Sequence, residues 1–288
     1  MKIRFMNEEE FISSKVLWDE CFPEDGNEFI DLYYRTRTRP EYALGAFLDD
    51  CRMPSAMMHL LPYKMLIGGR EEPVCFVAGV STTPSLRGKG LCSALFEEAF
   101  RIMKQRGYSY SALQPFDPSF YERFGYSTFI KRRSVKLSYD RPMEFVRPPE
   151  LRFIPPYPDR LKELYSAFML GRQGYSIRSE AYFRAFIEEY SLKDARIALT
   201  PRSCCVGYVS NEDSGYFTAT ELFYIGSFSE SMLPDGFKEY VLPFPTDAAK
   251  ITSSAGTASE TTEDFSMIKP ILRPLPKLAS VYYGFDRY

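Results

Sequence analysis

The chain has 288 residues, 45% of them hydrophobic and 26% charged, ordinary globular values for a length that suits two domains of roughly 100–200 residues better than one. Its 36 basic and 38 acidic residues leave no basic footprint of the kind a nucleic-acid binder needs. Six cysteines without a Cys-x-x-Cys pair, and a single histidine, His59, give no metal-ligand spacing, so no zinc is expected.

The start turns acidic at Glu8-Glu9-Glu10, where a secretory signal would continue apolar, and no run approaches the roughly 20 apolar residues of a membrane span. A cytoplasmic protein without membrane partners is the expectation. Aromatics at 16% suit packed sheets or a ring-lined cleft. In chain order, residues 8–21 place Phe11, Ile12, Val16, Leu17 and Trp18 on one helical face, and residues 27–37 form a second helix. Extended runs follow at 42–48, 54–61 and 63–67, then, after Gly68-Gly69, at 73–80.

The stretch Val80-Ser81-Thr82-Thr83-Pro84-Ser85-Leu86-Arg87-Gly88-Lys89-Gly90-Leu91-Cys92 reads as a strand, a tight loop and a helix start. Leu91, Ala94, Leu95, Ala99 and Met103 continue one helical face. A helix start leaves backbone N–H groups unpaired at a positive dipole end, so a Gly-flanked start can hold a pyrophosphate. Arg87 and Lys89 add charge at its rim. The loop lacks the GxxxxGK[ST] order of a P-loop, and Ser93 stands where a dinucleotide fingerprint needs its third glycine. A plain basic turn capping a helix is the competing reading.

After this helix, residues 108–113 alternate as a strand. The turn Gln114-Pro115-Phe116-Asp117-Pro118 leads into a short aromatic helix, 119–126, stopped by Gly125, and then a strand, 127–137. With these elements in place the sequence resembles the GNAT superfamily of N-acetyltransferases, whose R/Q-x-x-G-x-G/A signature is matched by residues Arg87 to Cys92, with Cys92 where Gly or Ala is usual. The resemblance implies a bound co-substrate, acetyl-CoA, held by the backbone of Arg87, Gly88, Lys89, Gly90, Leu91 and Cys92. It also implies that the strand residues Val80, Ser81 and Thr82 pair with the pantetheine arm. Phe120-Tyr121 matches the family's Phe-Tyr, which makes Tyr121 the general acid that protonates the departing thiolate, with Tyr126 as fallback. A phenol is protonated at neutral pH and can donate; against this stands the reading of Tyr121 as one more packed ring among 21 tyrosines.

The Gln-Pro-Phe-Asp-Pro turn and the Phe-Tyr-Glu-Arg-Phe-Gly-Tyr run are similar to the tandem-GNAT enhanced-intracellular-survival type, though without room for its third, sterol-carrier-like domain. The implied fold is α/β (α+β), with two GNAT-like domains, each a mixed, mostly antiparallel sheet flanked by helices. The expected division is a first domain at 1–140, a Pro-rich linker at 141–158 and a degenerate second domain at 159–288. In the second half, helices are expected at 159–170 and 179–190 and strands at 195–200, 204–210 and 216–225, with no second signature after them. The Ser/Thr/Ala tract at 246–264 reads as an exposed loop, and residues 281–285 as a closing strand. In that family the terminal carboxylate can serve as base, which would be that of Tyr288 here. Glu24, Asp25, Glu28 and Asp117 read as solvated charges. The implied activity is acetyl transfer to a primary amine on a small molecule or lysine. A non-catalytic acyl-CoA sensor is the alternative, and a homo-oligomer is left open.

Overall fold

The computed structural model describes residues 1–48, 53–192, 195–209, 215–244, 251–253 and 256–276. The described chain divides into two units, one containing Met1–Phe129 and the described residues from Phe265 onward, the other built on Ile130–Asp264. The division falls inside a strand, eleven residues before the end of the 1–140 segment expected from sequence.

The first unit opens with β1 (Lys2–Phe5), after which Asn7 and Glu10 close a capping box: Asn7 Oδ1 accepts from the Glu10 amide at 2.9 Å and Glu10 Oε2 from the Asn7 amide at 3.0 Å. The single helix expected over 8–21 is two, α1 (Glu8–Ser13) and α2 (Lys15–Cys21). At the junction the Ser14 hydroxyl lies 2.7 Å from the Phe11 carbonyl, to which it donates, and 2.9 Å from the Tyr34 hydroxyl. Such local side-chain bonding competes with the helical ladder and bends it. Next comes α3 (Gly26–Thr36), burying Phe29, Ile30, Leu32, Tyr33 and Tyr34.

The strands β2 (Ala43–Phe47), β3 (Ala56–Ile67) and β4 (Arg70–Thr82) form an antiparallel meander with β1. The break expected between 61 and 63 is absent; Pro62 sits within β3, beyond the four residues, Ala56–His59, that pair with β2, so its missing donor costs that pairing nothing. The helix α4 (Leu91–Gln105) then buries Leu91, Leu95, Phe96, Ala99, Ile102 and Met103. β5 (Tyr110–Leu113) lies parallel to β4 from Val74↔Tyr110 to Phe76↔Ala112, the geometry a helical crossover permits. The short α5 (Pro118–Glu122) precedes β6 (Ser127–Ser138).

The second unit carries α6 (Pro158–Met169), a two-residue strand β7 (Tyr175–Ser176), α7 (Glu180–Leu192), β8 (Arg196–Thr200), β9 (Ser203–Val209), β10 (Tyr216–Tyr224) and β11 (Glu239–Phe244). β8, β9 and β10 run antiparallel in sequence, β10 and β11 are parallel, and β11 is antiparallel to β6. The core packs Tyr165, Phe168, Phe183 and Phe186 from the helices against Phe217 and Phe223 of β10. Arg178 and Glu221 form a buried ion pair at 2.9 Å. The tract expected to be an exposed loop is corrected by β12 (Thr257–Pro270). Its Thr residues have β-branched side chains that fit a pleated surface, a preference that its low hydrophobicity masked. The closing strand expected at 281–285, and Tyr288, lie outside the described residues.

The two units repeat one strand scheme. In the first, β3 and β4 are antiparallel, β4 and β5 parallel, and β5 and the last residues of β12 antiparallel; in the second the same relations hold for β9, β10, β11 and β6. Each also shifts register by one residue at the matching place, between Met57 and His59 opposite β4, and between Ala219 and Glu221 in β10. The difference lies in the crossover. Between β4 and β5 stands α4, whereas between β10 and β11 the only described helical element is a 3-10 turn at Glu230–Met232.

Candidate active site

β4 is paired with β3 from Arg70 to Thr82, yet with β5 only from Val74 to Phe76. Past Phe76 its β5-side edge keeps backbone donors and acceptors for another partner. Gly79, at φ 58 beside the register shift, turns this segment. A Cβ there would lie 2.3 Å from Trp18 Cζ3, so both backbone and packing require glycine. Beyond it, Val80 and Thr82 border a cavity of about 560 Å³. Ser81 alternates to the other face, buried, with its hydroxyl donating to the Gly79 carbonyl at 3.3 Å.

Gly88 and Gly90 adopt φ 78 and 83, with nothing within 4 Å of an added Cβ at either. Glycine is needed there for the backbone alone. Gly90 is the N-cap of α4 and supplies no side-chain cap. The Ala94 amide makes the first turn's bond, to the Gly90 carbonyl, and the amides of Gly88 through Ser93 have no acceptor among the described residues. They form a run of donors at the positive end of a 15-residue helix.

Gly88, Gly90, Leu91, Cys92 and Ser93 all border the cavity, as do Leu86 and Arg87. The exposed Lys89 does not. Arg87 donates from Nε to the Thr82 carbonyl at 3.3 Å and places Nη2 3.8 Å from Cys21 Sγ. Arg123, which borders the cavity with Phe116 and Phe120, stacks 4.1 Å over the Phe120 ring and 4.6 Å over Phe124. Neither arginine has a carboxylate partner among the described residues, and no carboxylate borders the cavity. Positive charge, backbone donors and apolar walls of Val80, Leu86, Leu91 and Phe120 suit an anion carrying an apolar arm.

Tyr121 sits on α5, whose start is fixed by Asp117: its Oδ1 accepts from the Ser119 amide at 2.9 Å and the Ser119 hydroxyl at 2.8 Å. The Tyr121 ring is buried, edge-on to Phe116 at 5.6 Å, to Phe96 at 6.2 Å and to Tyr126 at 6.2 Å. Burial pushes its phenol well above the ordinary range, and the nearby Cys92 thiol adds to the shift. Its hydroxyl has no hydrogen-bond partner among the described residues. Tyr126 differs in that respect: it is also buried, but its hydroxyl lies 2.6 Å from Ser111 Oγ and is already engaged. Tyr121 does not itself border the cavity, whereas Cys92, whose charge it feels, does. Burial pushes the Cys92 thiol up to about 11.

His59 lies in β3, fully buried beside Trp18 and Tyr33, with ring centroids 5.5 and 5.6 Å away and each ring at 22° to its own, and its pKa is pushed down to about 3 by burial. It is a neutral core residue. Of the carboxylates, Asp25 accepts the Trp18 indole N–H at 2.8 Å and Asp117 caps α5, while Glu24 and Glu28 are exposed. Cys21 and Phe22, which close the cavity from the end of α2, carried no signal in the sequence because they stand about 60 residues from the loop they face. Arg123 could have been found, since it stands inside the Phe-Tyr-Glu-Arg run already singled out.

Residues 2–129 match the family model of the acetyltransferase (GNAT) domain. No curated protein matches the sequence. Among solved structures, the chain is similar to a probable N-acyltransferase from Enterococcus faecalis V583, with a TM-score of 0.72 at 16% identity over 94% of this chain and 72% of that one. It is also similar to Eis1 from Mycobacterium abscessus, at 0.69 and 14% over 94% and 74%. A third likeness is to a GCN5-related N-acetyltransferase from Anabaena variabilis ATCC 29413, at 0.71 and 14% over 94% and 72%. At such identities these are likenesses of fold, and they run through both units. With an unpaired strand edge and a cradle of helix-start amides meeting in one cavity, residues 2–129 are a GNAT acetyltransferase domain, and the chain is an acyltransferase.

Proposed function

We propose that the chain transfers an acetyl group from acetyl-CoA to a primary amine, of a small molecule or a lysine, by direct attack of the amine on the thioester. The observation that carries this reading is the run of unengaged amides from Gly88 to Ser93 at the left-handed start of α4, opening on the cavity beside the free edge of β4. The amides and the Arg87 and Arg123 guanidiniums hold the pyrophosphate. The backbone at Val80 to Thr82 orients the arm. The Thr82 carbonyl already accepts from Arg87 Nε, so at that residue the arginine fixes the strand end while Val80 offers the open edge.

The acyl thioester supplies the group to be moved; the chain positions it and handles one proton. Tyr121 keeps its proton at neutral pH because burial raises its pKa, and its hydroxyl is uncommitted, so it is the donor to the leaving sulfur. No described carboxylate of the cavity serves as base, so the amine reaches the site neutral or loses its proton to water. The second domain, residues 159–288 after the 141–158 linker, is a degenerate GNAT-like domain. A 3-10 turn stands where α4 stands in the first unit, which leaves the second unit no comparable amide cradle among the described residues. The protein is read as acting in a reducing cytoplasm.

The absence of a lining carboxylate also favours a second reading, an acyl-CoA sensor that binds without transferring. Thiol release from acetyl-CoA, measured against polyamines, aminoglycosides and lysine peptides with wild type and Tyr121→Phe, separates the two. Amine-dependent release that falls in the variant supports transfer; tight binding without release on any amine supports the sensor.

A further inference from the structure

Where β5 parts from β4, two buried polar groups meet without partners. The last parallel pair is Phe76↔Ala112, and β5 ends one residue later at Leu113. Leu113 packs in the core with Leu95 and Phe96 of α4. Strand alternation therefore sets Ala112, and Gln114 after it, on the other face of the sheet. That face belongs to α2: Ala112 pairs with Phe76, Ala78 two residues on pairs with His59, and His59 lies beside Trp18 of α2. The end of α2 borders the cavity through Cys21 and Phe22. Along the other edge of β5 the antiparallel register with β12 reaches Met267↔Leu113, so its next step sets Ser266 beside Gln114 on the same face.

Gln114 Oε1 and Ser266 Oγ are both buried, and neither has a hydrogen-bond partner among the described residues; Ser266 is wholly buried. A buried polar atom without a partner costs stability, and folded proteins keep few of them. Two at neighbouring positions mark a place for donors that come from outside the chain.

We propose that Gln114 Oε1 and Ser266 Oγ accept the two N–H groups of the acceptor's primary amine, leaving its lone pair to face the thioester carbon. The inference rests on the reading of the chain as an amine acetyltransferase. Both oxygens can accept, and a neutral primary amine has two N–H donors and one lone pair. The lone pair forms the C–N bond to the acetyl carbon, the C–S bond breaks, and the sulfur takes the Tyr121 proton. The surplus proton on nitrogen passes to water, which restores that of Tyr121. Gln114 and Ser266 exchange no proton; they hold the nucleophile in place. Tyr121 lies in the core on the α4 side, so the proton donor and the nitrogen holders occupy different faces of the sheet and do not compete. An N-methylated acceptor keeps one N–H, which leaves one oxygen without a donor and sets a methyl against it.

The test measures thiol release from acetyl-CoA with n-butylamine, spermidine and Nα-acetyl-lysine amide, each beside its N-methyl counterpart, on wild type, Gln114→Met, Gln114→Glu and Ser266→Ala. Acetyl-CoA affinity by calorimetry and urea midpoints are taken on the same proteins. Wild type should prefer the primary amine by at least ~10-fold in kcat/KM. Gln114→Met, similar in shape but without the carbonyl, and Ser266→Ala should each lose about 10-fold in kcat/KM for the primary amine and narrow that preference. Both should bind acetyl-CoA as wild type does and unfold at the wild-type urea midpoint or above it, because an unpaired buried group has been removed. Gln114→Glu keeps an oxygen acceptor and should retain most of the turnover. Unchanged kinetics in the Met and Ala variants, an equal loss with both forms of the amine, a loss in Gln114→Glu as deep as in Gln114→Met, or a lowered midpoint, the mark of a structural water bonded to both groups, would overturn the proposal and leave acetyl transfer standing. Transfer to none of the amines by a protein that binds acetyl-CoA would remove both.

Discussion

His59 offers a quantitative test of the core that supports the site. It is buried beside Trp18 and Tyr33, with Tyr33 Oη 3.0 Å from its Nδ1, and its folded pKa is about 3 against 6.5 for a free imidazole. Above about pH 6.5 the imidazole is neutral in both states and contributes no pH dependence. Below that pH the unfolded chain binds a proton that the native state refuses, so stability falls with pH down to the folded value. Between pH 8 and pH 5 the loss from this residue alone is about 2 kcal/mol. The perturbation is His59→Gln, which cannot titrate. Urea unfolding of wild type and variant at both pH values, followed by fluorescence of Trp18, reads the first unit, because Trp18 is the only tryptophan of the chain and stacks on His59. The variant's own baseline stability is irrelevant, since the quantity compared is the change with pH. Wild type should lose about 2 kcal/mol more than the variant; equal losses would show that His59 is solvated or already charged in the native protein.

Tyr121→Phe should lower kcat by about 10²-fold with acetyl-CoA affinity unchanged, whereas Tyr126→Phe should leave turnover near wild type and lower stability by about 1 kcal/mol, as Ser111 loses its partner; stopped-flow thiol release and urea midpoints check the pair. Arg123→Ala removes a cation that no described carboxylate balances, so acetyl-CoA affinity by calorimetry should fall, and fall less steeply than in wild type as salt is raised. Gly79→Ala puts a methyl into the Trp18 ring at a positive φ and should destabilise the first unit by about 2 kcal/mol or more, with a shift in Trp18 emission. Gly90→Ala meets open space, so its cost of roughly 1–2 kcal/mol is backbone strain alone, and its larger effect should be weakened coenzyme binding.

The strand, loop and helix from Val80 to Met103 were legible because each is set locally: glycines at positive φ, a proline that ends the strand, and an apolar face of helical period. The fold of the second half was legible in its helices and in β8 to β10 for the same reason. β12 was not, since Thr257–Pro270 is polar at its start and becomes a strand through pairing with residues far away in sequence, such as Lys269↔Ser111. The site divides in the same way. The amide cradle follows from its own sequence, but the choice between Tyr121 and Tyr126 depends on which hydroxyl finds Ser111, and the meeting of Cys21 with Arg87 depends on where α2 ends. Contacts between distant segments leave no period or spacing to read.

The pairing of β12 with β5 also sets a timetable for synthesis. Leu113 is partnered by Met267 and Tyr110 by Pro270, so the central sheet of the acetyltransferase domain lacks one neighbour until residue 270 has been made. At about 5–20 residues per second, the roughly 150 residues in between take on the order of 10–30 s. Through that interval β5 is an open edge, able to recruit any extended segment within reach. A shortened chain ending near residue 129 would carry the whole Gly88–Ser93 cradle and still keep that edge bare, so such a fragment should be handled as an aggregation-prone intermediate rather than as a minimal enzyme.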